Sequence, residues 1–234
     1  MRTIYFILFL LLVGCVPNTF PTATPDNDGL GETEMPVYRF LALGDSYTIG
    51  ESIGGKHRWP NQLAKLLEEE GTQTEVTIIA RTGWTVDELW KGIQADPPQG
   101  TYDVVTLLIG VNDQYRGYPL DGYREDFRFL LGKAIEYAGG KPEKVLVLSI
   151  PDWGFTPFAA TGDTEPISQQ IDEFNAVNLE ETKNAGAHYV DVTIISRMGM
   201  DDFDLIAGDR LHPSAKMYMM WAEKVLPVAR EILK

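Results

Sequence analysis

The strongest constraint on the fold is a regular alternation of short apolar runs with longer amphipathic stretches. Each run is rich in leucine, isoleucine and valine and is bounded by turn residues, which is the pattern of a strand buried on both faces. The sequence therefore predicts five strands, at residues 38–43, 76–80, 104–109, 145–150 and 189–192.

Between these runs, apolar residues recur with a helical period. The predicted helices cover residues 59–70, 86–93, 123–138, 167–184 and 214–233. Strands that alternate with helices in this way indicate a parallel sheet with helices on both faces, and the right-handed crossover rule limits the possible strand orders. We therefore predict an α/β fold, namely a single three-layer α/β/α domain with a five-stranded parallel sheet in the flavodoxin-like order 2-1-3-4-5.

The charge balance excludes one broad class of partner. The chain of 234 residues has a formal net charge of −14 at pH 7, with 44% hydrophobic and 23% charged residues. These fractions are typical of a folded globular protein. Nucleic-acid binding needs clustered lysine and arginine, and the sequence has no basic stripe. We therefore predict no nucleic-acid partner.

The first residues form a separate segment. Arg2 precedes an apolar run at residues 4–13, which is too short to span a hydrocarbon core of about 30 Å and is typical of a signal peptide. The run ends in Leu12-Val13-Gly14-Cys15, which resembles the lipobox of bacterial lipoproteins, in which the cysteine is lipidated after cleavage. An uncleaved signal anchor, or a secretory signal with an incidental cysteine, is the alternative.

The resemblance to a lipobox divides the chain into three segments. Residues 1–14 are interpreted as the lipoprotein signal peptide, residues 15–36 as a flexible tether that starts at lipidated Cys15, and residues 37–234 as the folded domain. The implied location is the bacterial cell envelope, with the protein anchored to a membrane through its N-terminal lipid.

Polar residues that could take part in catalysis or binding follow several predicted strands. In a doubly wound sheet, ligands bind outside the carboxyl ends of the strands. Ser46 follows the first strand, Gly83 the second and Asn112 the third, while Asp209 and His212 lie just before the last helix. The topology therefore predicts that four loops, distant in sequence, meet at one edge of the sheet.

These residues lie in sequence blocks that resemble those of the SGNH (GDSL-type) hydrolases. The blocks occur in order as Gly44-Asp45-Ser46, Gly83, Gly110-Val111-Asn112-Asp113 and Asp209-Arg210-Leu211-His212. The resemblance extends from about residue 38 to the last helix. It implies the SGNH hydrolase fold and a serine esterase that hydrolyses carboxylic esters. It also implies three oxyanion-hole donors: the backbone N–H groups of Ser46 and Gly83 and the side-chain amide of Asn112.

The chemistry of the residue types fits that implication. A serine hydroxyl becomes a good nucleophile only when a base removes its proton, and imidazole suits that exchange near neutral pH. His212 is the candidate base, and Asp209 is three residues away, within reach of the imidazole Nδ1. We therefore predict that Ser46, His212 and Asp209 are the catalytic residues.

Each assignment has a structural alternative. Ser46 could be a helix N-cap, Gly83 an ordinary turn glycine, and Asn112 part of an Asx-turn. Two other histidines also compete for the role of base. His57 precedes a predicted helix close in sequence to Ser46, whereas His188 begins a predicted strand, and the DxxH context favours His212.

The sequence does not contain the motifs of several other kinds of active site. There is no G-x-S-x-G elbow, H-E-x-x-H metal motif, P-loop or dinucleotide fingerprint. We therefore predict neither a metal ion nor a cofactor.

Aromatic residues near the blocks are candidates for a substrate pocket. Trp84 adjoins Gly83, and Trp153, Phe155 and Phe158 lie in the long segment 151–166 after the fourth strand. Loop packing is the alternative for these side chains. Segment 114–122 is a candidate for another wall.

The expected function is hydrolysis of small or medium acyl esters, with acetylated carbohydrates and lysophospholipids as candidate substrates. The alternatives are a catalytically silent, lipid-anchored glycan-binding or scaffold protein, and an acyltransferase that uses the same triad.

Overall fold

Five parallel strands form one sheet in the computed structural model, which describes residues 36–160, 162 and 164–234. The strands lie in the order β2-β1-β3-β4-β5, which confirms the predicted fold class. Their bounds are β1 (Val37–Gly44), β2 (Gln73–Ala80), β3 (Val104–Leu108), β4 (Val145–Leu148) and β5 (His188–Val190). The predicted signal peptide, Cys15 and all of the predicted tether except residue 36 lie outside the described residues.

Helices cover the sheet. Helix α2 packs against α8, while α5 packs against α3 and α6. The helices in the described part of the chain are α1 (Ser46–Ile49), α2 (Trp59–Glu69), α3 (Val86–Ala95), α4 (Val111–Tyr115), α5 (Leu120–Tyr137), α6 (Glu165–Ala185), α7 (Thr193–Ser196) and α8 (Ala215–Ile232).

The core lies between the sheet and these helices. Strands β3 and β4 are buried along their whole length, so their sequences are continuously apolar rather than alternating. Trp59 of α2 and Trp221 of α8 are fully buried. Burying a large apolar side chain contributes about 1.5–3 kcal/mol, so these residues anchor the helices to the sheet.

The structure differs from the predicted elements mainly at their ends. Helix α5 begins at residue 120 rather than 123, and β4 ends at residue 148 rather than 150. Helices α1, α4 and α7 are single turns that were not predicted, because four or five residues are too few to show a helical period. As a result, segment 114–122, which we predicted as a candidate wall, is partly helical and contains the end of α4 and the start of α5.

No helix in the described ranges is long and apolar enough to cross a membrane.

Candidate active site

Ser46 lies at the first position of α1, directly beyond the carboxyl end of β1. The turn depends on Gly44, because a Cβ there would lie 2.2 Å from Thr48 Oγ1 and 2.5 Å from the carbonyl oxygen of Leu108. Only glycine therefore lets β1 turn this close to β3 and α1. Ser46 is buried, with 4% of its surface exposed.

The N-cap of α1 is Asp45 rather than Ser46. The Asp45 side chain accepts a hydrogen bond of 3.0 Å from the backbone N–H of Tyr47. The alternative that Ser46 serves as an N-cap is therefore wrong, and its hydroxyl is not used for capping. Burial raises the pKa of Asp45 to about 8 despite that hydrogen bond.

His212 and Asp209 form a local pair before α8. The imidazole Nδ1 lies 2.6 Å from Oδ2 of Asp209, while the other carboxylate oxygen accepts from the backbone N–H groups of Leu211 and His212, both at 3.0 Å. The hydroxyl of Ser52 also donates to Oδ2, at 2.6 Å.

These contacts set the ionisation of the Asp209 carboxyl group. Partial burial acts to raise the pKa of Asp209, but the hydrogen bonds from Ser52, Leu211 and His212 lower it to about 2. The carboxylate is therefore ionised at neutral pH and accepts a hydrogen bond from the Nδ1–H group of His212. In that tautomer the Nε2 of His212 is the ring nitrogen that can act as a base.

Asn112 lies in α4, beyond the carboxyl end of β3. Gly110 precedes it with a φ of 119°, and a Cβ at Gly110 would lie 2.3 Å from the hydroxyl oxygen of Tyr123. The amide Nδ2 of Asn112 donates a hydrogen bond of 2.9 Å to the carbonyl oxygen of Trp84, which fixes the orientation of the amide group. An Asx-turn would be a local bond to the neighbouring backbone, whereas this bond of the Asn112 amide reaches a residue 28 positions away in another loop.

The neighbouring Asp113 has a structural contact with the β2–α3 loop. Its carboxylate accepts a hydrogen bond of 3.2 Å from the backbone N–H of Val86, the first residue of α3. Burial raises the pKa of Asp113 to about 7. Together with the contact from Asn112, this bond joins the loops that follow β2 and β3.

One cavity of about 220 Å³ brings the predicted site residues together. Ser46, Asn112 and His212 all line it, and Asp209 lies behind His212. The cavity therefore places a hydroxyl, an imidazole and a side-chain amide around a single space. This arrangement can bind a carbonyl group and attack it with a nucleophile.

An aromatic wall, which we define as Tyr115, Trp153 and Phe158, lines the same cavity. The ring centroids of Tyr115 and Trp153 are 5.5 Å apart, and those of Trp153 and Phe158 are 6.2 Å apart. The indole N–H of Trp153 donates to Oε1 of Gln114 at 2.9 Å, which fixes the middle ring. Sequence reasoning did not single out Tyr115, although it lies in the segment predicted as another wall.

Three of the predicted site residues, Gly83, Trp84 and Phe155, are not among the residues that line the cavity. Gly83 has a φ of 86°, and its carbonyl oxygen accepts a hydrogen bond from Arg116. The ring of Trp84 lies on Gly92 of α3, where a Cβ would be 2.1 Å from Cη2. Phe155 lies beneath the guanidinium of Arg197, 5.9 Å from the ring centroid.

The other two histidines, His57 and His188, are not among the residues that line the cavity. His57 is exposed in a 3₁₀ turn before α2, and His188 begins β5, with its Nε2 3.1 Å from the carbonyl oxygen of Glu143. In the part of the chain that the structure describes, no group of three or more His, Cys, Asp or Glu side chains is placed to hold a metal ion.

Comparisons with known proteins place the chain in a family. The sequence profile of the GDSL-like lipase/acylhydrolase family matches residues 42–220. No curated protein sequence matches the chain. Among solved structures, TesA has a TM-score of 0.66 and 20% identity and covers 83% of this chain and 99% of its own.

Two further solved structures are similar in the same way. The psychrotrophic esterase EstA from Pseudoalteromonas sp. has a TM-score of 0.64 and 17% identity, covering 84% of this chain and 98% of its own. The acetylxylan esterase Axe2 from Geobacillus stearothermophilus has a TM-score of 0.65 and 20% identity, covering 82% and 94%. At these identities the structural likeness shows the fold, whereas the profile covers most of the sequence. The chain therefore belongs to the GDSL-like lipase/acylhydrolase family and is a carboxylic ester hydrolase.

Proposed function

We propose that the protein is a serine esterase that hydrolyses esters of small or medium acyl groups through Ser46, His212 and Asp209. The observation that carries this proposal is the cavity shared by Ser46, Asn112 and His212, with the imidazole Nδ1 2.6 Å from the carboxylate of Asp209. Serine, imidazole and carboxylate in these roles form the triad used for acyl transfer.

The first half of the reaction makes an acyl-enzyme. Ser46 Oγ attacks the ester carbonyl carbon while Nε2 of His212 takes the hydroxyl proton, and Asp209 stabilises the resulting imidazolium. The tetrahedral intermediate then collapses, the bond between carbon and the alcohol oxygen breaks, and His212 gives its proton to the departing alcohol. The acyl group remains on Ser46.

In the second half of the reaction, water hydrolyses the acyl-enzyme with the help of the same catalytic residues. Nε2 of His212 takes a proton from a water molecule, whose oxygen attacks the acyl carbon and releases the carboxylic acid from Ser46. His212 returns the proton to Ser46 Oγ, so the enzyme ends in its starting state. Each negative oxygen that forms on the carbonyl needs hydrogen-bond donors, which we assign to the N–H group of Ser46 and the amide of Asn112, both in the cavity. The third donor that the family resemblance implies is the N–H group of Gly83, which borders the loop of Trp84 and does not itself line the cavity.

We expect replacement of Asn112 by alanine to lower kcat by about 10²-fold or more, as loss of one oxyanion donor does. One amide hydrogen of Asn112 is bonded to Trp84, so the second is available in a fixed direction. Steady-state kinetics with p-nitrophenyl butyrate measures the loss, and thermal unfolding shows whether the fold is intact. A near-normal kcat in a folded variant would remove Asn112 from the oxyanion hole.

The cavity supports the proposed substrate class. A volume of about 220 Å³ beside an aromatic wall suits a short apolar acyl chain better than a long one. Acetylated carbohydrates remain candidates, and Axe2, one of the similar structures, is an acetylxylan esterase. Lysophospholipids are the candidates with longer chains.

An acyl-length series tests this class. With p-nitrophenyl esters from acetate to palmitate, we expect the highest kcat/KM between acetate and octanoate and a value at least about tenfold lower for palmitate, because methylenes beyond the pocket gain no apolar contact. The matched variant Trp153→Ala enlarges the cavity and should move the optimum to longer chains. A maximum at palmitate would contradict the proposed class.

Hydrolysis is favoured over the two alternative functions by specific features. Acyl transfer to an alcohol needs water to be kept out of the cleft, whereas Tyr115 and Phe158 of the aromatic wall are 61% and 49% exposed. A glycan-binding or scaffold protein has no need for a carboxylate held ionised against an imidazole. Inactivity of the wild-type protein on every ester in the series would favour that binding role.

We also propose that the protein is a lipoprotein of the bacterial cell envelope, anchored through Cys15. We expect Cys15→Ser to move the protein from the membrane fraction to the soluble fraction, because the variant lacks the thiol that carries the lipid. Fractionation of cells that express each form, followed by immunoblotting, measures the change. An unchanged distribution would contradict lipid anchoring.

A further inference from the structure

Two non-glycine residues with positive φ, among those that the structure describes, flank the carboxylate of Asp209. Ser52 has a φ of 65° and contacts this carboxylate, and Arg210, the next residue in the chain, has a φ of 69°. Left-handed backbone is unfavourable for residues with a Cβ and persists where surrounding contacts hold it in place. The strain at both residues is thus concentrated around one side chain.

Ser52 connects that carboxylate to the segment that carries Ser46. It lies two residues after Gly50, which ends α1 with a φ of 72°, and Ser46 begins the same helix. The Ser52 hydroxyl donates to Oδ2 of Asp209 at 2.6 Å across a sequence separation of 157 residues. Because Oδ2 is also the oxygen that contacts Nδ1 of His212, Ser52 acts on the atom that faces the imidazole.

The remaining contacts of Asp209 are local. The backbone N–H groups of Leu211 and His212 both bind Oδ1, so they fix one end of the carboxylate. The side chain of Asp209 is partly exposed, with 29% of its surface accessible. The hydroxyl of Ser52, itself exposed, therefore supplies Oδ2 with a side-chain donor that comes from outside the Asp209 loop.

The neighbour of Ser52 makes a parallel contact. Glu51 accepts a hydrogen bond from the hydroxyl of Thr82, which precedes Gly83 in the loop after β2. The turn after α1 thus contacts both the loop of the proposed oxyanion glycine and the loop of the proposed catalytic acid.

We propose that Ser52 is a positioning residue for ester hydrolysis, acting through Asp209 to hold the imidazole of His212 in line with Ser46. This inference rests on the proposed triad of Ser46, His212 and Asp209. The lowered pKa of Asp209 is consistent with it, since the bond from Ser52 is one of the contacts that stabilise the ionised carboxylate.

Two matched variants separate the hydroxyl from the backbone. Ser52→Gly and Ser52→Ala both remove the donor, but glycine favours the positive φ and alanine does not. We expect both to lower kcat on the order of tenfold, as loss of a hydrogen bond to a charged group does, with KM within about twofold. Ser52→Gly should unfold at a temperature no lower than that of Ser52→Ala. A wild-type kcat in Ser52→Gly would overturn the inference.

A double-mutant cycle tests whether Ser52 acts through Asp209. In an Asp209→Ala background we expect Ser52→Gly to cause no further loss of kcat, because the group that it positions is absent. A further tenfold loss in that background would show that Ser52 acts by another route and would overturn the inference. If Asp209→Ala alone kept wild-type kcat, the proposed triad itself would fail, which is a different result from failure of Ser52 alone.

Discussion

Replacing Ser46 by alanine is expected to lower kcat for p-nitrophenyl butyrate by about 10⁵- to 10⁶-fold, the scale on which serine hydrolases lose activity without their nucleophile. Without Oγ no acyl-enzyme can form, so neither acylation of residue 46 nor hydrolysis of an acyl-enzyme can occur. The variant should lose activity without losing stability. Asp45, not Ser46, caps α1, and alanine is favourable within a helix.

The measurement is kcat and KM of the two proteins, purified in parallel, together with thermal unfolding. We expect equal unfolding temperatures within a few degrees. An alanine variant with more than about a hundredth of wild-type kcat would exceed the residual rate expected without the nucleophile, and would contradict the role of Ser46.

Replacing His212 by alanine is expected to lower kcat by about 10⁴-fold or more, because Ser46 then has no base and the alcohol has no acid. The loop should keep its conformation, since Asp209 retains its bonds from Ser52 and from two backbone N–H groups.

His57 provides the matched control. It is exposed and lies near Ser46 in sequence, whereas the imidazole bonded to Asp209 is that of His212. We expect His57→Ala to keep kcat within about twofold of wild type, because substitutions of exposed residues outside the site cost little. Kinetics of both variants on one ester decides between the two histidines. If His57→Ala lost activity and His212→Ala kept the wild-type kcat, His57 rather than His212 would be the base.

The sheet could be predicted from the sequence because its strands are buried on both faces. Strands such as β3 and β4 are continuous apolar runs, and helices separate them in the chain, which together favour a parallel doubly wound order. The clustering of Ser46, Asn112 and His212 follows from the same topology, since Ser46 and Asn112 follow β1 and β3 and all three residues line one cavity.

The walls of the cavity could not be predicted in this way. Trp84 was expected at the cleft because it adjoins Gly83, but its ring packs on Gly92, which has no side chain to exclude it. That contact depends on how α3 sits against the loop, which no local pattern shows. Tyr115, in turn, faces the cavity because α4 forms, and α4 is too short to show a helical period.

Ser52 illustrates the same limit. No motif indicates it, and its contact with Asp209 spans 157 positions. Its positive φ is a property of the folded chain, since serine has no preference for that region. Sequence patterns thus locate the reacting groups better than the residues that position them.

In the proposed mechanism, Ser46 forms a covalent bond with the carbonyl carbon of the substrate. Diethyl p-nitrophenyl phosphate tests it directly, because the attacking oxygen displaces p-nitrophenolate and keeps the diethylphosphoryl group. Trypsin cuts after Arg39 and Lys56, so Ser46 lies in a single peptide that also contains Ser52. Fragmentation by mass spectrometry is expected to place one diethylphosphoryl group on Ser46, in proportion to the loss of esterase activity. Full inactivation with the group on any other residue, or complete absence of labelling in an active enzyme, would contradict the role of Ser46 as the nucleophile.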